Sequence, residues 1–177
     1  RRYRSATPFR DAQVTLAELH AMAPTDAASE LWRCCSSARW AATMSALRPF
    51  RNQAELFQAA ESVWWELSSP DWMEAFSHHP RIGERSEDAW ASQEQSGAKD
   101  PSQRIKDELA KWNAEYERRF GFVFLICATG KPAGEMLAQM ERRMNNEPAA
   151  ELKVAAREQA KITRLRLTKL LELGTRN

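Results

Sequence analysis

EPAAELKVAAREQAKITRLRLTKLLEL, residues 147–173 of a 177-residue chain, carries one apolar stripe: Leu152, Ala155, Ala156, Ile162, Leu170 and Leu173. Residues three and four apart share one face of an α-helix, so this spacing predicts a long helix with a single buried side. Lys153, Arg157 and Arg164 fall off the stripe. Two polar residues fall on it: Gln159 and, one heptad later, Arg166, which lies four residues after Ile162 and four before Leu170. A helix of this kind must be covered by other elements, and the sequence on its N-terminal side supplies more helix.

Residues 133 to 144 read as a helix entered from the turn Gly130-Lys131-Pro132. Phe122 to Ala128 is the one stretch of strand-like composition. It cannot make a sheet alone, so it reads as a buried extended segment or the start of a helix. Pro101 opens a long helix through Ile105, Leu109, Trp112, Tyr116 and Phe120, and Ser86-Glu87-Asp88 opens another to about Gly97. Nearer the N-terminus, Val14, Leu16, Leu19 and Met22 suggest a short helix ended before Pro24. Residues 26 to 47 make two short helices stopped at Arg48-Pro49-Phe50. Asn52 caps a helix through about Leu67. Ser69-Pro70-Asp71 starts the next, with Ser69 as cap, and Pro80 ends it near His79. With 6 glycines and no internal repeat or long linker, the expected fold is all-α, a single-domain bundle of about eight to nine helices. Residues 1–8, including Arg1-Arg2-Tyr3-Arg4, are set aside as a disordered or appended N-terminus, and the domain is placed over residues 9–177.

The charge balance, 26 Lys+Arg against 24 Asp+Glu, is interspersed and gives no electrostatic reason to expect nucleic acid or a membrane as partner. Phe122 to Ala128, the longest strongly apolar run, is far short of the roughly 20 residues that a membrane span needs. Cys34, Cys35 and Cys127 lack CxxC spacing and read as reduced thiols of a cytoplasmic protein.

Three places depart from the logic of a helical bundle. The first is His78-His79-Pro80-Arg81-Ile82-Gly83, two of the 3 histidines at a helix end fixed by proline. Such a junction suits an accessible general acid or base; the competing reading of either histidine is a cap that complements the helix dipole. The second is Glu94-Gln95, a carboxylate beside an amide, suited to a ureido or imide group or, equally, to a solvated helix face. The third is Arg166, whose inward guanidinium needs an anion or carbonyls. A substrate carboxylate, an internal salt bridge, or an arginine reaching out to water would each satisfy it. No metal is expected, since adjacent histidines point apart and His20 is the only other one. GxSxG and phosphate-loop motifs are absent as well.

Taken in order, these features resemble the 2-oxo-4-hydroxy-4-carboxy-5-ureidoimidazoline (OHCU) decarboxylase family. The resemblance runs through Arg48-Pro49-Phe50, His79-Pro80-Arg81-Ile82-Gly83, Glu94-Gln95-Ser96-Gly97-Ala98, Phe120 to Ala128, Glu158, Lys161-Ile162 and Leu165-Arg166-Leu167. It implies an all-α, cofactor-free homodimer that converts OHCU to (S)-allantoin in urate breakdown. It also implies His79 and Glu94 as catalytic groups, with Pro80, Gln95, the Ile126 backbone and Arg166 as substrate contacts. One departure stands out: many members carry a serine three residues before the Glu-Gln pair, where this chain has Ala91, and Ser92 is one position off. Two rival readings are an inactive member kept as a helical interaction domain and a nucleic-acid module using the basic residues of 153 to 169.

Overall fold

Prolines and short polar side chains set most of the helix boundaries in the computed structural model, which describes residues 14–84 and 103–172. Helix α1 (Leu16–Ala21) starts from a capping box: the Thr15 hydroxyl accepts from Glu18 N–H at 3.1 Å, and the Glu18 carboxylate accepts from Thr15 N–H at 2.7 Å. Pro24 opens α2 (Pro24–Cys35), and Ser36, at φ 61° in the left-handed region, separates it from α3 (Ala38–Ala46). The Arg48 guanidinium then ties the turn after α3 back to α1 by donating to the carbonyls of Leu19 and Met22. Asn52 caps α4 (Gln53–Glu66) as expected, its Oδ1 accepting from Glu55 N–H at 2.9 Å.

Helix α5 (Ser69–Ser77) differs from the sequence expectation by one residue: its cap is Ser68, not Ser69. The reason is Asp71, whose carboxylate reaches back to the Ser68 N–H at 3.1 Å and closes the capping box there. Three further helices follow: α6 (Gln103–Phe120), α7 (Ala133–Arg143) and α8 (Pro148–Glu172). The described residues thus form eight helices and no strand. Phe122 to Ala128 forms neither; it runs extended and buries Phe122, Phe124, Leu125, Ile126 and Ala128. The expected helix from Ser86 to Gly97 lies outside the described residues, as do Pro101 and Leu173.

Helix α8 is the central element, packing against α2, α4, α5 and α6. Ala155, Ala156, Ile162 and Leu170 are buried as the stripe predicts, and so are Gln159 and Arg166. Each fully buried large apolar side chain, such as Leu31 or Phe76, contributes about 1.5–3 kcal/mol. Trp64 buries its ring while its Nε1–H donates to the Ala156 carbonyl at 3.0 Å, which joins α4 to α8 without leaving an indole donor unpaired.

One stripe position departs from the pattern. Leu152 is only half-buried, whereas its neighbour Glu151 is completely buried. A carboxylate tolerates the interior here because it is surrounded by donors: Arg143 Nε at 2.7 Å, Asn146 Nδ2 at 2.7 Å and the Tyr116 hydroxyl. The same Arg143 donates to the Leu125 carbonyl at 2.7 Å and stacks over Phe124 at 4.4 Å, so this polar cluster anchors the extended segment.

Candidate functional site

Pro80 ends α5 and leaves the two histidines in different surroundings. His78 is the C-cap, exposed, with its ring edge against Trp32 at a centroid distance of 5.0 Å. His79 is half-buried, and its Nε2 lies 2.7 Å from Gln159 Oε1 on α8. The third histidine, His20, is structural: its Nε2 accepts from Phe50 N–H at 3.0 Å.

The loop after His79 is held from α6. Asn113 Nδ2 donates to the Ile82 carbonyl at 3.0 Å, and one turn later Glu117 takes a two-pronged contact from Arg81 at 2.5 and 3.0 Å. Gly83 adopts φ +89°, which favours glycine; a Cβ there would also stand 3.3 Å from Leu109 Cδ1.

Opposite this loop, Gln159 and Arg166 bring the polar part of the α8 stripe to the end of α2. Gln159 Nε2 donates to Thr163 Oγ1 at 3.1 Å and lies 3.5 Å from the Cys35 carbonyl. Arg166 is 3% exposed, and its charge acts on both Cys34 and Cys35. Burial outweighs that charge: it holds the Cys34 thiol far above the ordinary range and pushes Cys35 up to about 12. Both sulfurs therefore stay protonated at neutral pH and are poor nucleophiles.

The extended segment is fixed on either side of Ile126. Arg143 holds the Leu125 carbonyl, and Glu158 Oε2 accepts from Cys127 N–H at 2.7 Å while its other oxygen pairs with Lys161 at 2.5 Å. Ile126 itself is 4% exposed. Pro80 is half-buried beside His79. Glu94 and Gln95 lie outside the described residues, as do Ala91 and Ser92. Among the described residues, no three His, Cys, Asp or Glu side chains cluster as a metal site requires.

Sequence reasoning placed Gln159 on the stripe without giving it a partner; its polarity at a buried position, one heptad before Arg166, was the available signal. Asn113 leaves no signal in the sequence, because one asparagine in a long amphipathic helix carries no pattern. A separate cleft of about 280 Å³ between α4 and α8 is lined by Phe57, Trp64, Trp65, Arg164 and Leu167 among others, and includes none of the expected site residues.

The family model described as OHCU decarboxylase matches residues 20–168. The uric acid degradation bifunctional protein TTL of Arabidopsis thaliana is 40% identical over 148 residues, 78% of this chain and 46% of that protein. This chain thus spans less than half the length of that relative. An OHCU decarboxylase of Haloferax volcanii is 31% identical over 123 residues, 68% of this chain and 73% of the relative. Among solved structures, a crystal structure of OHCU decarboxylase in the presence of (S)-allantoin superposes with a TM-score of 0.74 at 40% identity, covering 81% of this chain and 98% of the other.

Proposed function

The chain belongs to the OHCU decarboxylase family, and from that premise we propose that it is a carboxy-lyase that converts OHCU to (S)-allantoin in urate breakdown without a cofactor. The observation that carries the reading is the meeting of His79 with the polar face of α8: an imidazole on Gln159, with buried Arg166 one heptad further along. A guanidinium so placed suits a carboxylate or an oxyanion of the substrate, which it can hold through two parallel donors.

The chemistry asks little of the protein. The bond to the carboxyl carbon breaks, CO₂ leaves, and the electron pair spreads into the substrate's own ring. A single proton delivered to one face then yields one enantiomer. Positioning, charge stabilisation and that proton are the protein's share. In this reading His79 moves the proton and Glu94 steadies it. Arg166, Gln95, Pro80 and the Ile126 backbone hold the ring and the ureido group. The fixed ends of the extended segment at Leu125 and Cys127 support the role given to Ile126.

The domain extends over residues 9–177, somewhat beyond the matched 20–168, and works as a cytoplasmic homodimer; sedimentation of the purified chain at several concentrations tests the dimer. No described helix is long and apolar enough to cross a membrane. The deciding experiment follows freshly generated OHCU by circular dichroism with and without protein. Accelerated appearance of one allantoin enantiomer supports the enzyme, and its loss in His79→Gln supports the assigned histidine. An unaccelerated, racemic product sinks the proposal.

A further inference from the structure

Starting from the end of α2, the hydrogen bonds around Gln159 run in one direction only. Cys35 is the last residue of α2, and its carbonyl can only accept. Gln159 Nε2 faces that carbonyl at 3.5 Å and Thr163 Oγ1 at 3.1 Å. Turning the amide over would set two oxygens against each other at Cys35. The Thr163 hydroxyl both donates and accepts, so it suits either orientation of the amide, and the Cys35 carbonyl decides between them. Gln159 is completely buried, so neither end of the amide can turn to water instead.

The amide oxygen therefore faces His79, 2.7 Å from Nε2. An oxygen acceptor at that distance requires a proton on Nε2. A neutral imidazole carries only one N–H, so its lone pair sits on Nδ1. We propose that Gln159 is a positioning residue that holds neutral His79 as its Nε2–H tautomer, making Nδ1 the nitrogen that exchanges the proton with substrate. The second half of this statement rests on the decarboxylase reading; the first does not. Without the amide, the ring can rotate or exchange tautomers, and the productive arrangement is populated only part of the time.

The protein holds its own reference. His20 Nε2 accepts from Phe50 N–H, so neutral His20 must be the opposite tautomer, Nδ1–H. His78 is exposed, so water can satisfy either tautomer. Long-range ¹H–¹⁵N correlation spectra of the full chain, labelled at histidine and recorded where the rings are neutral, should resolve three patterns. These are a protonated Nε2 with an unprotonated Nδ1 for His79, the reverse for His20, and averaged shifts for His78. Gln159→Met, close in shape and without the amide, should move His79 toward averaged shifts. It should also lower kcat by about 10- to 100-fold, the range carried by groups that orient functional histidines, with little change in KM. An Nδ1–H pattern for His79 in the wild type overturns the inference even if the variant fails to fold. A wild type that shows Nε2–H yet leaves OHCU unaccelerated overturns the decarboxylase reading and the role of Nδ1 with it, while the tautomer stands.

Discussion

Asn113→Leu separates the stability of the fold from the placement of the His79 loop. Asn113 is 3% exposed; its Nδ2 donates to the Ile82 carbonyl in a buried bond of 3.0 Å, while its Oδ1 is buried with no hydrogen-bond partner among the described residues. Leucine changes both ends of the amide at once. Losing the donor leaves the Ile82 carbonyl unsatisfied, at a cost of about 1–3 kcal/mol. Losing the unpaired amide oxygen removes a desolvation penalty of similar size, about 1–3 kcal/mol. The two terms oppose each other, so net stability should lie within about 1 kcal/mol of the wild type.

Function has no such cancellation. The loop from His79 to Gly83 would lose its buried anchor at Ile82 and keep the more exposed Arg81–Glu117 contact to α6. A displacement of His79 approaching 1 Å costs up to about 100-fold in turnover, so a fall of roughly 10- to 100-fold is expected. Urea unfolding followed by tryptophan fluorescence reads the stability, and circular dichroism of OHCU conversion reads the turnover. A loss of more than about 3 kcal/mol would show that the two polar terms do not offset. Full turnover in a stable variant would show that α6 does not hold the loop in place.

The other predictions concern the core and the extended segment. Glu151→Leu strands the Arg143 charge, whose side chain is only 10% exposed, and should cost about 3–5 kcal/mol in urea melts; adding Arg143→Met should recover most of that loss. At alkaline pH, burial raises the folded-state values of Cys34, Cys35 and Tyr116, so the folded chain keeps protons that the unfolded chain releases. Their contribution is fully present below pH 9.0, the ordinary thiol value, and is lost as pH rises toward about 12 for Cys35; Cys35→Ala should flatten that decline in denaturant midpoints. Glu158→Leu removes the acceptor for Cys127 N–H and should raise KM for OHCU more than it lowers kcat, whereas Glu158→Gln, which keeps an acceptor, should stay near wild type.

Which of these features could be read in advance depended on whether the signal was local. Asn52 marked its helix correctly because a capping asparagine acts within three residues, and the α8 stripe predicted buried Ala155, Ala156, Ile162 and Leu170 because period alone determines a face. Ser69 was misplaced as a cap by one residue, since two adjacent serines offer equal local signals and only the reach of Asp71 decides between them. Arg166 was legible as buried because it broke a pattern. The contact of His79 with Gln159 spans 80 residues, and no spacing within one helix reveals a partner on another. Glu151 was illegible for the same reason: its burial depends on Arg143, Asn146 and Tyr116 converging from other elements.

Those long-range contacts share an order along α8 that the apolar stripe conceals. Glu151 and Glu158 are one heptad apart, and both hold the extended segment: Glu151 through Arg143 to the Leu125 carbonyl, Glu158 directly on the Cys127 N–H. Gln159 and Arg166 are a second pair one heptad apart, displaced by a single residue, and they meet His79 and the end of α2. A one-residue step turns the helix by about 100°, so the two pairs face different neighbours while sharing one rigid backbone. The segment bearing Ile126 and the imidazole of His79 are thus referred to the same helix. Any change that shifts α8 along its axis must move both together, whereas substitutions at Glu158 or Gln159 should disturb one and spare the other. That separation is why a KM effect is expected at Glu158 and a kcat effect at Gln159.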